Sequence, residues 1–233
     1  MIISHAHRFI FLKTQKCAGT SVEMALSMIC GPDDVVSSWG AVDAEQQHQV
    51  GCEPRNTEIP LAYRPYTWQL RQLMRLRTAH RGVRYHGHMS ASKIRQSMDA
   101  RLFDAYRKVT IVRNPWDREV SLYFWHYRDN ENRPPFERYV RLPRYRPERK
   151  TFDLYSIDGR IVADTILRYE NLQDDYSNFV KSLGVDVPPE LPRAKGKFRP
   201  QSKRNYRDLY STTTRDVVAR RYAREIEAFG YQF

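Results

Sequence analysis

The sequence lacks the features that build a secreted scaffold or a membrane anchor. It holds only three cysteines, Cys17, Cys30 and Cys52. The number is odd, no C-x-x-C pair occurs and no spacing repeats. That excludes a disulfide framework or zinc cluster as the organising device and leaves reduced thiols in a cytosol-like compartment as the expectation. The segment "MIISHAHRFIFLK" has no unbroken apolar core and no small-residue cleavage site. No run approaches the roughly 20 apolar residues that cross a bilayer. A soluble, cytoplasmic protein without a transmembrane segment is expected. Solenoid-type repeats and low-complexity tracts are missing too. Acidic residues are scarce, 27 against 39 basic ones, for a net charge of +12, and among the basic residues lysine is scarce, 9 against 30 arginines. Excess base points to an anionic partner: nucleic acid, anionic lipid, a nucleotide or an acidic glycan. The bland alternative is an arginine-rich composition with a solvated surface.

What is present describes one packed domain. Hydrophobic residues make up 41%, with 15 Tyr, 10 Phe and 4 Trp, in a chain of 233 residues. That length suits a single sizeable core. "RFIFL", residues 8 to 12, predicts a short buried strand. Thr20 or Ser21 is placed to cap a helix through "VEMALSMIC", which stops near Gly31-Pro32. Residues 32–65 carry prolines and few aliphatics and predict a long excursion; "WQLRQLMRL", Trp68 to Leu76, returns to helical spacing. "VRYHGH" predicts a strand running into a turn at Gly87. "KVTIVRNPWDREVSLYFWHYRD" repeats strand, turn and helix, with Pro115 near the first helical position. An irregular, Arg- and aromatic-rich surface insertion is expected at 133–150. "RIVADTILRYENL" has a strand pattern, "DDYSNFVKSLG" is a helix closing at Gly184, and "TTRDVVARRYAREIEAFG" is an amphipathic helix with Val217, Val218, Tyr222, Ile226 and Phe229 tending to one face. Strands separated by helices predict a single-domain α/β fold, with a central, mostly parallel sheet flanked by helices and ligands at the strands' C-terminal ends.

Two segments carry anion chemistry. "KCAGTS" follows the first strand. Successive backbone N–H groups in a tight turn, joined to a helix N-terminus, bind an anion without any side chain. Ala18 and Gly19 let the backbone approach, Thr20 and Ser21 add hydroxyls, and Lys16 can place positive charge on a leaving group. In the nucleotide-hydrolase loop, G-x-x-x-x-G-K-[ST], lysine follows the second glycine; here Lys16 precedes Gly19. The second segment, "VTIVRNPWDREVS", ends its strand in Arg113, where a magnesium-dependent phosphotransferase would place Asp. Arg113 and Ser121, two helical turns on, can both grip one phosphate; alternatively Arg113 pairs with a structural carboxylate such as Asp117. A lone strand-turn-helix with an exposed lysine is the plain alternative for the first segment.

These residues resemble the sulfotransferases that use 3′-phosphoadenosine 5′-phosphosulfate (PAPS). "QKCAGTS" is similar to their 5′-phosphosulfate loop, often P-K-T-G-G-T-S, with Gln15 and Ala18 replacing the proline and first glycine. "RNPWDREVSLYF" resembles the 3′-phosphate element R-x-P-x-x-R-x-x-S through Arg113, Pro115, Arg118 and Ser121. "YHGHMS" is similar to a segment of the heparan sulfate and related uronyl 2-O-sulfotransferases, and "ILRYENL" and "FGYQF" resemble later landmarks. Residues 32–80 and 133–150 match nothing in the family. The resemblance implies a P-loop-like fold and PAPS as co-substrate with no metal. It also implies donor contacts from Lys16, Cys17, Ala18, Gly19, Thr20, Ser21, Arg113 and Ser121, and from Lys203 and Arg204 in a basic late loop. It gives His88 the role of general base and Lys16 that of stabilising the leaving phosphate. Imidazole suits a base because its ordinary pKa of about 6.5 leaves it mostly neutral at working pH.

His86, two residues before His88, would face the same side of a strand-like segment and touch the acceptor or orient His88; an H-G-H turn serving only packing is the alternative. Lys13 is either an assisting cation or a surface lysine. Cys17 is a loop spacer rather than a nucleophile, and His5 and His7 are structural. The acceptor is expected to be a hydroxyl on a carbohydrate or glycoconjugate. A P-loop kinase or phosphotransferase and a basic nucleic-acid-binding module are the competing readings; no nucleic-acid signature is present, and nucleic acid is not the expected partner.

Overall fold

In the computed structural model the described residues are 1–38, 47–48, 52–64, 83–128, 132–142, 151–192, 200 and 205–233. An antiparallel hairpin, Ile2–Ser4 (β1) and Phe9–Leu12 (β2), pairs Ile2 with Phe11 and Ser4 with Phe9. β1 is too short to leave a periodic signal, so the sequence predicts only β2. Gly19–Ser27 (α1) follows, then the edge strand Val35–Val36 (β3). Two short helices, Ala91–Gln96 (α2, capped by Ser90) and Ala100–Ala105 (α3, capped by Asp99), lead into Arg107–Val112 (β4). Asn114 caps Pro115–His126 (α4) by accepting from the N–H groups of Trp116 and Asp117, with Pro115 opening the helix as predicted.

Phe136–Arg141 (α5) falls in the stretch expected to be an irregular surface insertion. Phe136, Tyr139 and Val140 are buried there, so the aromatic density reflects a helix packed into the core. The "RIVADTILRYENL" strand splits in two. Ser156–Ile157 (β5) and Arg160–Ile161 (β6) make a small separate hairpin around Asp158-Gly159, both at positive φ, as a two-residue turn requires. Thr165–Arg168 (β7) joins the main sheet. Leu172–Lys181 (α6) comes next. The C-terminal helix is also two, Thr212–Arg221 (α7), with a Ser211 capping box, and Ala223–Phe229 (α8), hinged at Tyr222. "VRYHGH" forms only an isolated bridge from Arg84 to Glu58 before its turn.

The main sheet runs β3-β1-β2-β4-β7, with β2, β4 and β7 parallel and β1 antiparallel to both neighbours. Alternation along β2 divides the core, because successive side chains leave opposite faces of a strand. Phe9 and Phe11 pack with Val109 and Ile111 against Val22, Ala25 and Leu26 of α1 and Tyr176, Phe179 and Val180 of α6. Ile10 and Leu12 pack with Ile94, Phe103, Tyr106 and Tyr155 on the other face. A strand covered on both sides reads as an unbroken apolar run, which is why "FIFL" shows no alternation. A third cluster joins α4, α5 and α7 through Val120, Tyr139, Val218 and Tyr222. The C-terminal ends of β2, β4 and β7 open side by side onto Lys13, Arg113 and Tyr169. Among the described residues no helix is long and apolar enough to cross a membrane. The predicted helix at Trp68 to Leu76 lies outside the described residues.

Candidate active site

The loop after β2 is held by its hydroxyl and its thiol. Thr14 Oγ1 donates to the Ile111 carbonyl at 2.5 Å, and Thr110 Oγ1 donates to that of Leu12 at 2.8 Å, tying the end of β2 to β4. Cys17 is fully buried, its thiol donates to the Gln15 carbonyl at 3.3 Å, and burial raises its pKa. A buried thiol with a raised pKa suits a spacer, not a nucleophile. Lys16 and Ala18 both adopt φ of 59°. Left-handed residues of this kind are the backbone geometry from which anion-binding nests are built.

Neither Thr20 nor Ser21 caps α1. Both lie within its first turn, and Ala18 holds the cap position with no side chain to offer. Alanine supplies no side-chain cap to the first turn of the helix. Gly19 has a different reason to be glycine. A Cβ there would stand 2.8 Å from Lys13 Cγ and 3.2 Å from the Thr14 carbonyl oxygen, so the helix could not approach the strand end.

Arg113 sits at the tip of β4, 8% exposed. Its Nε and Nη2 engage Asp117 at 2.9 and 2.7 Å, the pairing the sequence left open as an alternative. Nη1 donates to the Lys16 carbonyl at 2.8 Å, and Tyr169 lies against the guanidinium, 3.9 Å from its carbon to the ring centroid. Three of its five donors are thereby used for orientation, and the two anion segments are joined directly. Ser121 is half-buried on α4, with Trp125 one turn further along the same helical face. Lys16 Nζ lies over the Trp125 ring at 4.3 Å, and Arg128 lies over it at the same distance. Arg118, part of the same motif, lies near enough to the buried Cys17 thiol to lower its pKa electrostatically, against the larger effect of burial. It is buried, pairs with Glu225 at 2.9 Å and stacks on Tyr222 at 4.5 Å.

His88 occupies the turn after Tyr85, whose buried hydroxyl donates to the Ser97 carbonyl. His88 Nδ1 lies 3.0 Å from the Lys13 carbonyl oxygen. A carbonyl only accepts, so Nδ1 carries the proton and Nε2 is left as the acceptor. The residue is exposed. Partial burial of the ring, and next the Lys13 ammonium, hold its pKa well below the ordinary value. The strand expected to carry His86 and His88 is not formed: Gly87 and His88 lie in a turn. Among the described residues the His86 ring makes no hydrogen bond. Lys13 is no surface lysine: it is 5% exposed and its Nζ lies 2.6 Å from Glu23 Oε2. His5 bonds the Tyr106 hydroxyl and His7 the Ile29 carbonyl, as framework contacts. Lys203 and Arg204 lie outside the described residues.

The sequence reasoning missed Glu23, Trp125 and Tyr169. Their signals were weak: a glutamate in the first turns of an otherwise apolar helix, a tryptophan four residues beyond Ser121, and a tyrosine directly after β7. Among the described residues no group of three His, Cys, Asp or Glu side chains is placed to hold a metal ion.

The arrangement joins a loop with left-handed residues at the end of β2, an arginine bonded to that loop and an imidazole bonded to the Lys13 carbonyl. The family model described as "Sulfotransferase family" matches residues 1–232. An uncharacterized protein of Archaeoglobus fulgidus is 29% identical over 113 residues, covering 44% of this chain and 87% of that protein. No solved structure matches the chain. With the family model spanning nearly the full length, the chain belongs to the sulfotransferase family and is a sulfotransferase enzyme.

Proposed function

We propose that this sulfotransferase moves the sulfuryl group of PAPS to an acceptor hydroxyl on a carbohydrate or glycoconjugate. The observation that carries the reading is the hydrogen bond from His88 Nδ1 to the carbonyl of Lys13. It fastens the only proposed base to the strand end that opens the anion loop. PAPS supplies an activated sulfuryl group on a phosphate leaving group, flanked by a second phosphate at the 3′ position. The chain's residues fit both anions. The nest around Lys16 and Ala18 and the uncapped start of α1 suit the 5′ phosphate, and Arg113 with Ser121 suits the 3′ phosphate.

His88 Nε2 takes the proton of the acceptor hydroxyl as that oxygen bonds to sulfur and the sulfur–phosphate oxygen bond breaks. Lys16 and the loop N–H groups face the charge that grows on the departing phosphate. A sulfuryl group carries less negative charge than a phosphoryl group, so fixed cations and dipoles suffice and magnesium is not needed. Trp125 and Arg128, both half-buried beside Lys16, offer a ring face and an arginine fork of the kind that suits an acidic sugar.

The test is incubation with sulfur-labelled PAPS and a panel of hydroxyl acceptors, sugars among them, with mass spectrometry for the added sulfate. The desulfated product, PAP, should raise the melting temperature without added magnesium. No stabilisation at millimolar PAP counts against the donor assignment, and magnesium-dependent ATP turnover would restore the kinase reading.

A further inference from the structure

Lys13 is the most constrained cation of the described site, yet it faces neither of the anion positions. Its side chain is 6% exposed and ends 2.6 Å from Glu23 Oε2, a carboxylate with no exposed surface. The other oxygen of Glu23 accepts from Ser37 Oγ at 3.1 Å and from the Met1 amine. Between its two ends the lysine stem runs through a slot with glycine on both sides. A Cβ on Gly19, at the start of α1, would lie 2.8 Å from Lys13 Cγ and 3.4 Å from its Cε. A Cβ on Gly87, in the turn that carries His88, would lie 3.9 Å from Lys13 Cδ. Its backbone carbonyl is the acceptor for His88 Nδ1. One residue therefore touches the anion loop's helix, the histidine turn and the histidine ring.

Stability does not account for this. Removing two charges from water costs several kcal/mol per ion, and a buried pair is often no better than apolar residues of equal volume. A methionine would fill the slot. What the charged pair adds is a fixed length and direction: the ammonium is held to one oxygen of Glu23, so the stem cannot slide between the glycines.

We infer that Lys13 is the positioning residue of the site: anchored by Glu23, it fixes the anion loop and the His88 turn to one another and holds His88 in the tautomer whose Nε2 accepts the proton. The inference rests on the reading of His88 as base. The charged groups around the ring come from three elements. Lys13 follows β2, Glu23 is on α1, and the Met1 amine, whose pKa burial lowers to about 6, precedes β1, so Lys13 is the ammonium that stays charged beside the ring at neutrality. Lysine's ammonium thus adds a field that favours the neutral ring, beyond its packing.

The experiment is nitrogen-15 NMR of the imidazole side chains, with His88 assigned by its loss in His88→Gln, on the wild type and on Lys13→Met. Alongside it run PAP affinity by calorimetry and the rate of sulfate transfer. The wild type should show His88 protonated on Nδ1. Lys13→Met keeps the main-chain carbonyl but loses the anchored stem that holds it in place, so the bond to Nδ1 should loosen, the His88 signals should move toward a mixture of tautomers and the titration midpoint should rise. Transfer should fall by about tenfold or more while PAP affinity stays within about threefold. A wild-type ring protonated on Nε2 overturns the inference outright. So do His88 signals and transfer that Lys13→Met leaves unmoved, or a loss confined to PAP affinity. Should Lys13→Met not fold, Lys13→Met/Glu23→Leu, which leaves no unpaired buried carboxylate, is judged by the same readings. Turnover retained in His88→Gln would overturn the base assignment instead, with the tautomer measurement still reporting on Lys13.

Discussion

The ammonium of Lys16 lies over the indole of Trp125, 4.3 Å from the ring centroid, with the guanidinium of Arg128 at 4.3 Å from the same ring. Two cations share one π face system, and only Lys16 belongs to the anion loop. Cation–π contacts of this kind are worth about 0.5–2 kcal/mol, less than a charge-assisted bond to a phosphate oxygen in a closed site. An anion in the nest should therefore draw Lys16 from the ring. PAP is expected to change the tryptophan emission of the wild type, and the change should be missing in Trp125→Phe. Fluorescence titration of both proteins checks it. Lys16→Ala should lower transfer by about 10²–10³, in the range lost when one donor to a developing oxyanion is removed.

Arg113 tests the second grip. Its orientation is set by Asp117, the Lys16 carbonyl and Tyr169 together. Lysine keeps the charge but cannot reproduce a planar fork held by three partners. Arg113→Lys is expected to weaken PAP binding by about tenfold or more with the fold intact, read by calorimetry and circular dichroism. Arg113→Ala should in addition lower the melting temperature, since it removes Asp117's partner at a largely buried position. PAP affinity unchanged in Arg113→Lys would reduce the residue to a brace for the loop.

The pH dependence follows from His88. A base works in its neutral form, and burial with the Lys13 ammonium holds the ring's pKa below the ordinary value. Activity should therefore be level through neutrality and fall only at a pH below about 6.5, where an unperturbed histidine would already be losing it. Because the folded-state pKa lies below the unfolded one, the same residue contributes stability above the unfolded value. That contribution is lost as pH falls through the folded one. The pH–rate profile of kcat/KM checks the first statement, and His88→Ala, with transfer down by about 10²–10⁴ and PAP binding retained, checks the assignment.

Much of this site was legible because its parts are local in sequence. "KCAGTS" directly follows a strand, and Arg113, Asn114 and Pro115 directly follow another, so strand-turn-helix logic places both at one edge of the sheet. The parts that escaped are those created by distance along the chain. Lys13 reads as an ordinary strand-end lysine until Glu23 of the next helix and Gly87, from a turn more than 70 residues away, close around it. Arg118 matches a motif position with no role legible in the sequence, and folding α8 against α4 places Glu225 opposite it. β1 and β3 carry three and two residues and owe their strand geometry to pairing, β1 with β2 and β3 with β1, not to any propensity of their own. Tyr169 becomes part of the site only because β7 is parallel to β4 and ends beside Arg113.

Arg118 supplies a prediction that separates fold from function. It is 3% exposed, bonded to Glu225 through Nη1 alone, with Nε and Nη2 lacking a partner among the described residues. Its aromatic neighbour Tyr222 donates its own hydroxyl to Glu119, not to the arginine. A buried pair broken from one side leaves an uncompensated charge, which costs about 3–5 kcal/mol. Replacing both members with apolar residues of similar volume removes that penalty. Glu225→Gln should lower the melting temperature more than the double change Arg118→Met/Glu225→Met does. Both proteins, where folded, should bind PAP with wild-type affinity, because the two side chains are buried and paired with each other. Thermal melts with and without PAP decide the matter. A melting temperature near wild type together with lost PAP binding in the double variant would return Arg118 to the donor site and make its pairing with Glu225 a device for aiming it.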